Sequence, residues 1–214
     1  VRLLAYYLAA AIGDHSLATE INNGDDPHTI TAQGLYNKSE ITEEERQVGK
    51  TLNFSIIYGG GTKTIMLQLG VPFKEARRLL NAYHTTRPGI KILNEQIGEI
   101  LSSRGYLSNL YGRRLHVETE HKALNALIQG SAADLMRDSV VRVDKYLDKN
   151  MASHIVNIVH DEIVIDADKT EVNRIVTQIP SLMGNKIVSR FVSIGVDAEI
   201  SFTNWAEKEE YNGD

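Results

Sequence analysis

Cysteine is absent from the 214 residues, which excludes both disulfides and thiolate metal sites. A metal ion held by this chain would need oxygen or histidine ligands, and oxygen ligands suit Mg²⁺. No apolar run is long enough to span a bilayer, and no signal-peptide pattern opens the chain. A cytoplasmic protein without membrane partners is therefore expected. Internal repeats, linkers and low-complexity segments are also lacking. So is an initiating methionine: Val1 begins inside a helical pattern, VRLLAYYLAAAI, which leads us to expect an upstream portion. What is present is a chain 42% hydrophobic, sufficient for a sizeable core in one or two compact units. Positive charge is short overall, with a formal net charge of −5, yet it is unevenly spread. From Arg46 to Arg114 eleven Lys and Arg residues stand against three acids, and the segments on either side are acidic. A basic middle suits a surface that meets phosphates, although a solvated cationic helical region has the same composition.

Turn signals at Gly13-Asp14 and Asn22-Asn23-Gly24 interrupt the first helix, and TITAQGLY reads as helical after Pro27 and His28. Thr42 followed by Glu45 is a capping-box pattern that starts another helix, and Gly59, Gly60 and Gly61 end it. Helices are expected over Pro72 to about Thr85 and Pro88 to about Ser103. Short extended segments, YLSNLYGRRLHV, turn near Tyr111-Gly112 and lead to a long helix from about His121 to Asn150. A strand pair around His160, a helix over Thr170–Phe191 and a last strand VSIGVDAEISF complete the chain. Helices first, then strands interleaved with helices, imply an α+β fold with a helical subdomain on an antiparallel sheet.

Two motifs carry chemistry. Arg46, Lys50, Phe54 and Tyr58 recur at every fourth position and Gly59 follows. On a helix they would share one ridge roughly 18 Å long, enough for an extended nucleoside triphosphate with cations at one end and aromatics at the other. The competing reading makes Phe54, Ile57 and Tyr58 a core stripe and the two cations solvated. The second motif is HIVNIVHDEIVID at 154–166, two β-branched runs around His160-Asp161-Glu162. Acids at a hairpin tip stand clear of the strands and can reach a metal ion, while Asp is also common in ordinary turns.

The spacing R-x3-K-x3-F-x3-Y-G resembles the nucleotide-binding helix of family A DNA polymerases, and V-H-D-E between apolar strands resembles their catalytic carboxylate hairpin. DDPHTITA is similar to the family's D-I-H-x-x-T-A, with Pro27 in place of Ile, and NLYGRR is similar to T-L-x-G-R-R. The resemblance implies a right-hand polymerase in which residues 1–24 form a palm-derived helix, 25–104 the fingers and 105–214 the palm. His28, Arg46, Lys50, Phe54 and Tyr58 would then bind the dNTP, with Lys50 also protonating the leaving pyrophosphate. Arg113, Arg114, Asn125, Gln129 and His160 would contact primer-template DNA. Asp161 would be a ligand in a two-ion Mg²⁺ site, supported by Glu162. Family members supply a further acid from a D-Y-S-x-x-E segment whose continuation resembles Val1-Arg2-Leu3-Leu4-Ala5. That segment would reside on the missing portion, in the same or a separate chain, and the isolated chain would be inactive. His121, where many members have Arg, and the Gly13–Pro27 stretch lean towards a phage-type enzyme, working in a bacterial cell or phage-infected host. The alternatives are a DNA-binding polymerase remnant without catalysis and an HD-type metal phosphohydrolase built on His160-Asp161.

Overall fold

A computed structural model describes residues 1–211. The chain divides into two compact units: residues 1–132 with 191–193, and residues 133–190 with the segment from 194 onward.

The first unit is built almost wholly from helices: α1 (Arg2–Ile12), α2 (Ser16–Asn22), α3 (Pro27–Tyr36), α4 (Glu43–Ile57), α5 (Thr62–Leu69), α6 (Phe73–Thr86) and α7 (Pro88–Arg104). Local chemistry sets the boundaries that matter. Asp26 caps α3, accepting from the His28 and Thr29 amides, and Pro27 takes the first helical position, where its missing N–H costs nothing. Thr42 and Glu45 form the full capping box at the start of α4, and Glu43, Glu44 and Glu45 lie at its positive end. α4 packs along α3 and α5, and α6 crosses both α3 and α5. Leu52, Ile65, Leu79, Tyr83, Ile90 and Leu93 are fully buried or nearly so, each burial contributing about 1.5–3 kcal/mol before entropy is set against it. A two-residue ladder of β1 (Leu107–Ser108) with β2 (Arg114–Leu115) closes a tight turn ahead of α8 (Ala123–Asn150), whose first turns belong to this unit.

The second unit takes the remainder of α8, the antiparallel hairpin β3 (His154–Val159) and β4 (Glu162–Asp166), helix α9 (Val172–Met183), and β5 (Glu199–Ile200) paired with β6 (Glu209–Glu210). Val143 and Leu147 of α8 and Ile175 and Ile179 of α9 form its core, with Ile155, Ile163 and Ile165 of the hairpin packed against them. Val156 and Ile158 point away and stay exposed. Each hairpin strand has a partner on one edge only among the described residues.

Several expectations require correction. α2 and α5 fall in stretches to which no element was assigned, α2 between the two turn signals and α5 after the glycines that end α4. The helix expected over Thr170–Phe191 ends at Met183, next to Pro180 inside it, and a 3-10 turn follows at Val188–Arg190. Of the strand expected over 192–202 only Glu199–Ile200 pairs. In place of one antiparallel sheet the described residues hold three separate two-stranded ones. The α+β class stands in the coarser form of a mostly helical chain with small antiparallel sheets.

Candidate functional site

α4 has two unlike faces. Gly49, Leu52, Asn53, Ile56 and Ile57 are buried, whereas Phe54 is 38% and Tyr58 54% exposed, with Arg46 and Lys50 half-buried beside them. The core-stripe reading therefore holds for Ile57 and fails for the two aromatics. Tyr58 lies one step past the helix as its capping residue, so the ridge is three helical side chains followed by a cap. Aromatic rings left at the surface next to two cations form a surface suited to a ligand with both a flat apolar part and anionic groups.

The start of α3 is folded against this ridge. Gly49 makes the approach possible: a Cβ there would collide with the His28 carbonyl oxygen and crowd Ala32. The His28 and Phe54 rings lie 5.7 Å apart at 41°. Arg46 Nε donates to Asp26 Oδ2 at 2.7 Å, so the acid that caps the His28 helix also orients the first cation of the ridge. Burial acts to raise the Asp26 carboxyl, but hydrogen bonds from Thr29 and Arg46 outweigh it together and hold it at about 2. Burial lowers the His28 imidazole, and the neighbouring Arg46 and Lys50 charges push the same way against Asp26. His28, Arg46, Lys50 and Phe54 thus share one surface.

At the other end of α4, Gly59 adopts φ 76° and its Cα faces the His121 carbonyl oxygen so closely that any Cβ would collide. The contact joins the Tyr58 end of the ridge to the segment leading into α8, which carries Asn125 and Gln129. Gln129 is exposed; Asn125 is half-buried, and its Oδ1 has no hydrogen-bond partner among the described residues. Asn109 organises the preceding turn: its Oδ1 accepts from the Tyr111 and Arg113 amides, and its Nδ2 donates to Gly130 O at 3.1 Å. The turn is held on α8 in this way, with the exposed Arg113 and Arg114 at its rim and the Arg114 guanidinium 4.7 Å above the Tyr106 ring.

In the second unit, Val159 pairs with Glu162, leaving His160 and Asp161 as a two-residue hairpin loop. His160 has φ 54°, a conformation uncommon for any residue but glycine, and strain of this kind collects at functional sites. A register shift between Ile155 and Asn157 marks a bulge along β3, a device that re-aims side chains. Asp161 is exposed at the tip. Glu162 is engaged: Lys208 Nζ lies 3.2 Å from its Oε1 and 2.6 Å from Glu199 Oε2. Mg²⁺ commonly binds through one or two protein carboxylates, completing its shell with water and substrate phosphates. Asp161 fits that role as a single ligand, and the described residues hold no convergent group of three or more acids and histidines. The His160-Asp161 pair lies on a hairpin, which removes the helical setting that an HD phosphohydrolase site uses.

Three residues of consequence escaped the sequence reading. Asp26 was legible, since an acid directly before proline signals a capped helix start. Asn53 and Lys208 left no such signal, because their partners are distant in sequence. Among the described residues no helix is long and apolar enough to cross a membrane.

The sequence model of DNA polymerase family A matches residues 5–207. The DNA polymerase of Mycobacterium phage L5 is 31% identical over 200 residues, covering 92% of this chain and 32% of that protein. DNA polymerase I of Chloroflexus aurantiacus is 30% identical over 214 residues, covering 94% of this chain and 23% of its own length. Among solved structures, the POL domain of Pol1 from M. smegmatis, in complex with DNA primer-template and dNTP, superposes with a TM-score of 0.76 at 27% identity. That match covers 86% of this chain and 34% of the other. The chain spans about a third or less of the length of these relatives.

Proposed function

Because the chain belongs to DNA polymerase family A, we propose that it contributes the nucleotide-binding surface and one catalytic carboxylate to template-directed DNA synthesis. The observation that carries this reading is the exposed ridge of α4, with Phe54 and Tyr58 left at the surface while the other face of the helix is buried and His28 is brought alongside. Arg46 and Lys50 meet the triphosphate, Lys50 giving a proton to the departing pyrophosphate, and His28 donates to a phosphate oxygen. Phe54 lies against the sugar and Tyr58 near the base. Arg113 and Arg114 hold the DNA backbone by charge, and Asn125 and Gln129 test base-pair geometry in the minor groove, where the acceptors of all pairs lie at similar places. His160 touches the primer end. On this reading residues 25–104 are fingers and 105–214 palm.

Asp161 would hold Mg²⁺, with Glu162 as a supporting acid; the ion would acidify the primer 3′-hydroxyl and neutralise the triphosphate. Two ions beside a triphosphate call for more carboxylate than Asp161 and Glu162 offer, and this reading assigns the further acid to a D-Y-S-x-x-E segment. The test is extension of a labelled primer with Mg²⁺ and dNTPs. The chain alone binds DNA without extending it, and a polypeptide bearing D-Y-S-x-x-E restores extension when the two dock. Asp161→Asn abolishes the restored synthesis, and Lys50→Ala lowers nucleotide use far more than DNA affinity. Robust extension by the chain alone overturns the shared-site reading. DNA binding without restored synthesis would favour a remnant that binds but does not catalyse.

A further inference from the structure

We infer that His28 is locked in the tautomer that carries its hydrogen on Nε2, and that the lock is a buried chain of hydrogen bonds from the Glu20–Arg87 ion pair through Thr31 and Asn53. The direction of each bond decides the matter. Arg87, 6% exposed at the junction of α6 and α7, donates from Nη1 and Nη2 to the two carboxylate oxygens of Glu20 at 2.6 and 2.7 Å. A guanidinium can only donate, so the chain has a fixed starting direction. Nη2 also lies 3.4 Å from both Pro27 O and Thr31 Oγ1.

Thr31 has one hydroxyl hydrogen. Its nearest acceptor is Pro27 O at 2.7 Å, against 3.3 Å to Asn53 Oδ1. With the hydrogen so committed, Oγ1 accepts from Arg87 and from Asn53 Nδ2, the latter at 3.1 Å. The Tyr83 hydroxyl, on a ring with no exposed surface, donates to Asn53 Oδ1 at 3.1 Å and fixes the opposite end of the amide. Asn53 Nδ2 has three acceptors within reach, His28 Nδ1 at 3.0 Å, Thr31 Oγ1 at 3.1 Å and Pro27 O at 3.5 Å, and its two hydrogens serve the two nearer ones. An Nδ1 that accepts carries no hydrogen, so that of the neutral ring resides on Nε2. Burial, helped by the Arg46 and Lys50 charges and opposed by Asp26, lowers the imidazole and so favours the neutral ring.

The consequence for binding rests on the proposed role of His28 at the triphosphate. An Nε2–H is a donor for an anionic oxygen, whereas the opposite tautomer would offer that oxygen a lone pair. Asn53 is then a positioning residue for nucleotide binding, and Glu20 with Arg87 supports it from within.

Nitrogen–proton correlation spectra of the full chain, labelled with ¹⁵N in histidine, read the tautomer directly, with the His28 signal assigned through His28→Gln. The wild type should show the Nε2–H pattern at neutral pH. Asn53→Asp replaces the donor with an acceptor of similar shape and should move His28 to the Nδ1–H or imidazolium pattern. Glu20→Gln with Arg87→Met, which removes both buried charges together, should give mixed tautomers. An Nδ1–H pattern in the wild type overturns the inference whether or not any variant folds. So does an unchanged His28 signal in folded Asn53→Asp. Titration with dATP tests the binding role separately: the His28 signal should shift, and Asn53→Asp should weaken dATP about tenfold, the worth of one charge-assisted hydrogen bond. A correct and switchable tautomer that ignores dATP would leave the lock standing and remove His28 from the triphosphate site.

Discussion

Phe54 and Asp26 show how single side chains on this surface can be interrogated. Phe54 has no hydroxyl, so a nucleotide seated against it must supply its own 3′-hydroxyl. Phe54→Tyr provides the missing group and should raise incorporation of dideoxynucleotides relative to normal substrates, roughly tenfold or more if the new hydroxyl makes a charge-assisted hydrogen bond. Competition between the two substrate types on one template measures it, and equal selectivity in both proteins would take Phe54 out of the sugar pocket. Asp26 speaks to stability. Its carboxyl ionises at about 2 in the folded chain, below the ordinary 3.8, so the folded state favours the charged form. The stabilisation is complete above the unfolded value and disappears as pH falls from about 4 through about 2. Asp26→Asn should cost on the order of 1 kcal/mol at pH 7, the side chain being partly exposed and screened. Denaturant unfolding should show wild type and variant converging towards pH 2, and a constant gap would mean the cap contributes through shape rather than charge.

Gly49 sets the distance between α3 and α4, the pair of helices on which the ridge depends. Gly49→Ala improves helix propensity, yet its methyl would collide with the His28 carbonyl oxygen. The collision should win, because backbone of a neighbouring helix cannot move aside as a flexible side chain can. We expect a loss of about 1–3 kcal/mol in thermal or denaturant unfolding, with nucleotide affinity falling alongside. A stabilised variant would show that α3 and α4 can separate freely. How far such elements were legible depended on where their information lies. α4, α6, α7 and α8 announce themselves by caps, prolines and long apolar periodicity within the segment. α2 and α5 are seven and eight residues long, and their flanking turn signals outweighed a single buried face. The last strand alternates correctly over 192–202, but a strand needs a partner, and only two residues of it find one. The site divides in the same way. The ridge and the hairpin could be read from spacing; the closeness of His28 to Phe54, and the engagement of Glu162 by Lys208, depend on residues far apart in sequence.

Taken whole, the chain carries a formal charge of −5 and yet is proposed to bind a polyanion, through the basic segment between Arg46 and Arg114. Such binding releases counterions, so affinity for primer-template should fall linearly on a logarithmic scale as salt rises. Removing the Arg113 and Arg114 charges together should lower that slope by about two, with little dependence on DNA sequence. An unchanged slope would place the DNA contact elsewhere. The hairpin that presents Asp161 has a further effect on the material itself. Each of its strands leaves a row of backbone donors and acceptors open on one edge among the described residues, and Val156 and Ile158 lie bare on its outer face. Such an edge is a template for another like it. At the concentrations used for crystallisation or spectroscopy the chain by itself should therefore cloud, gathering into strand-rich aggregates after a lag, and a lysine in place of Val156 is the cheapest way to keep it in solution.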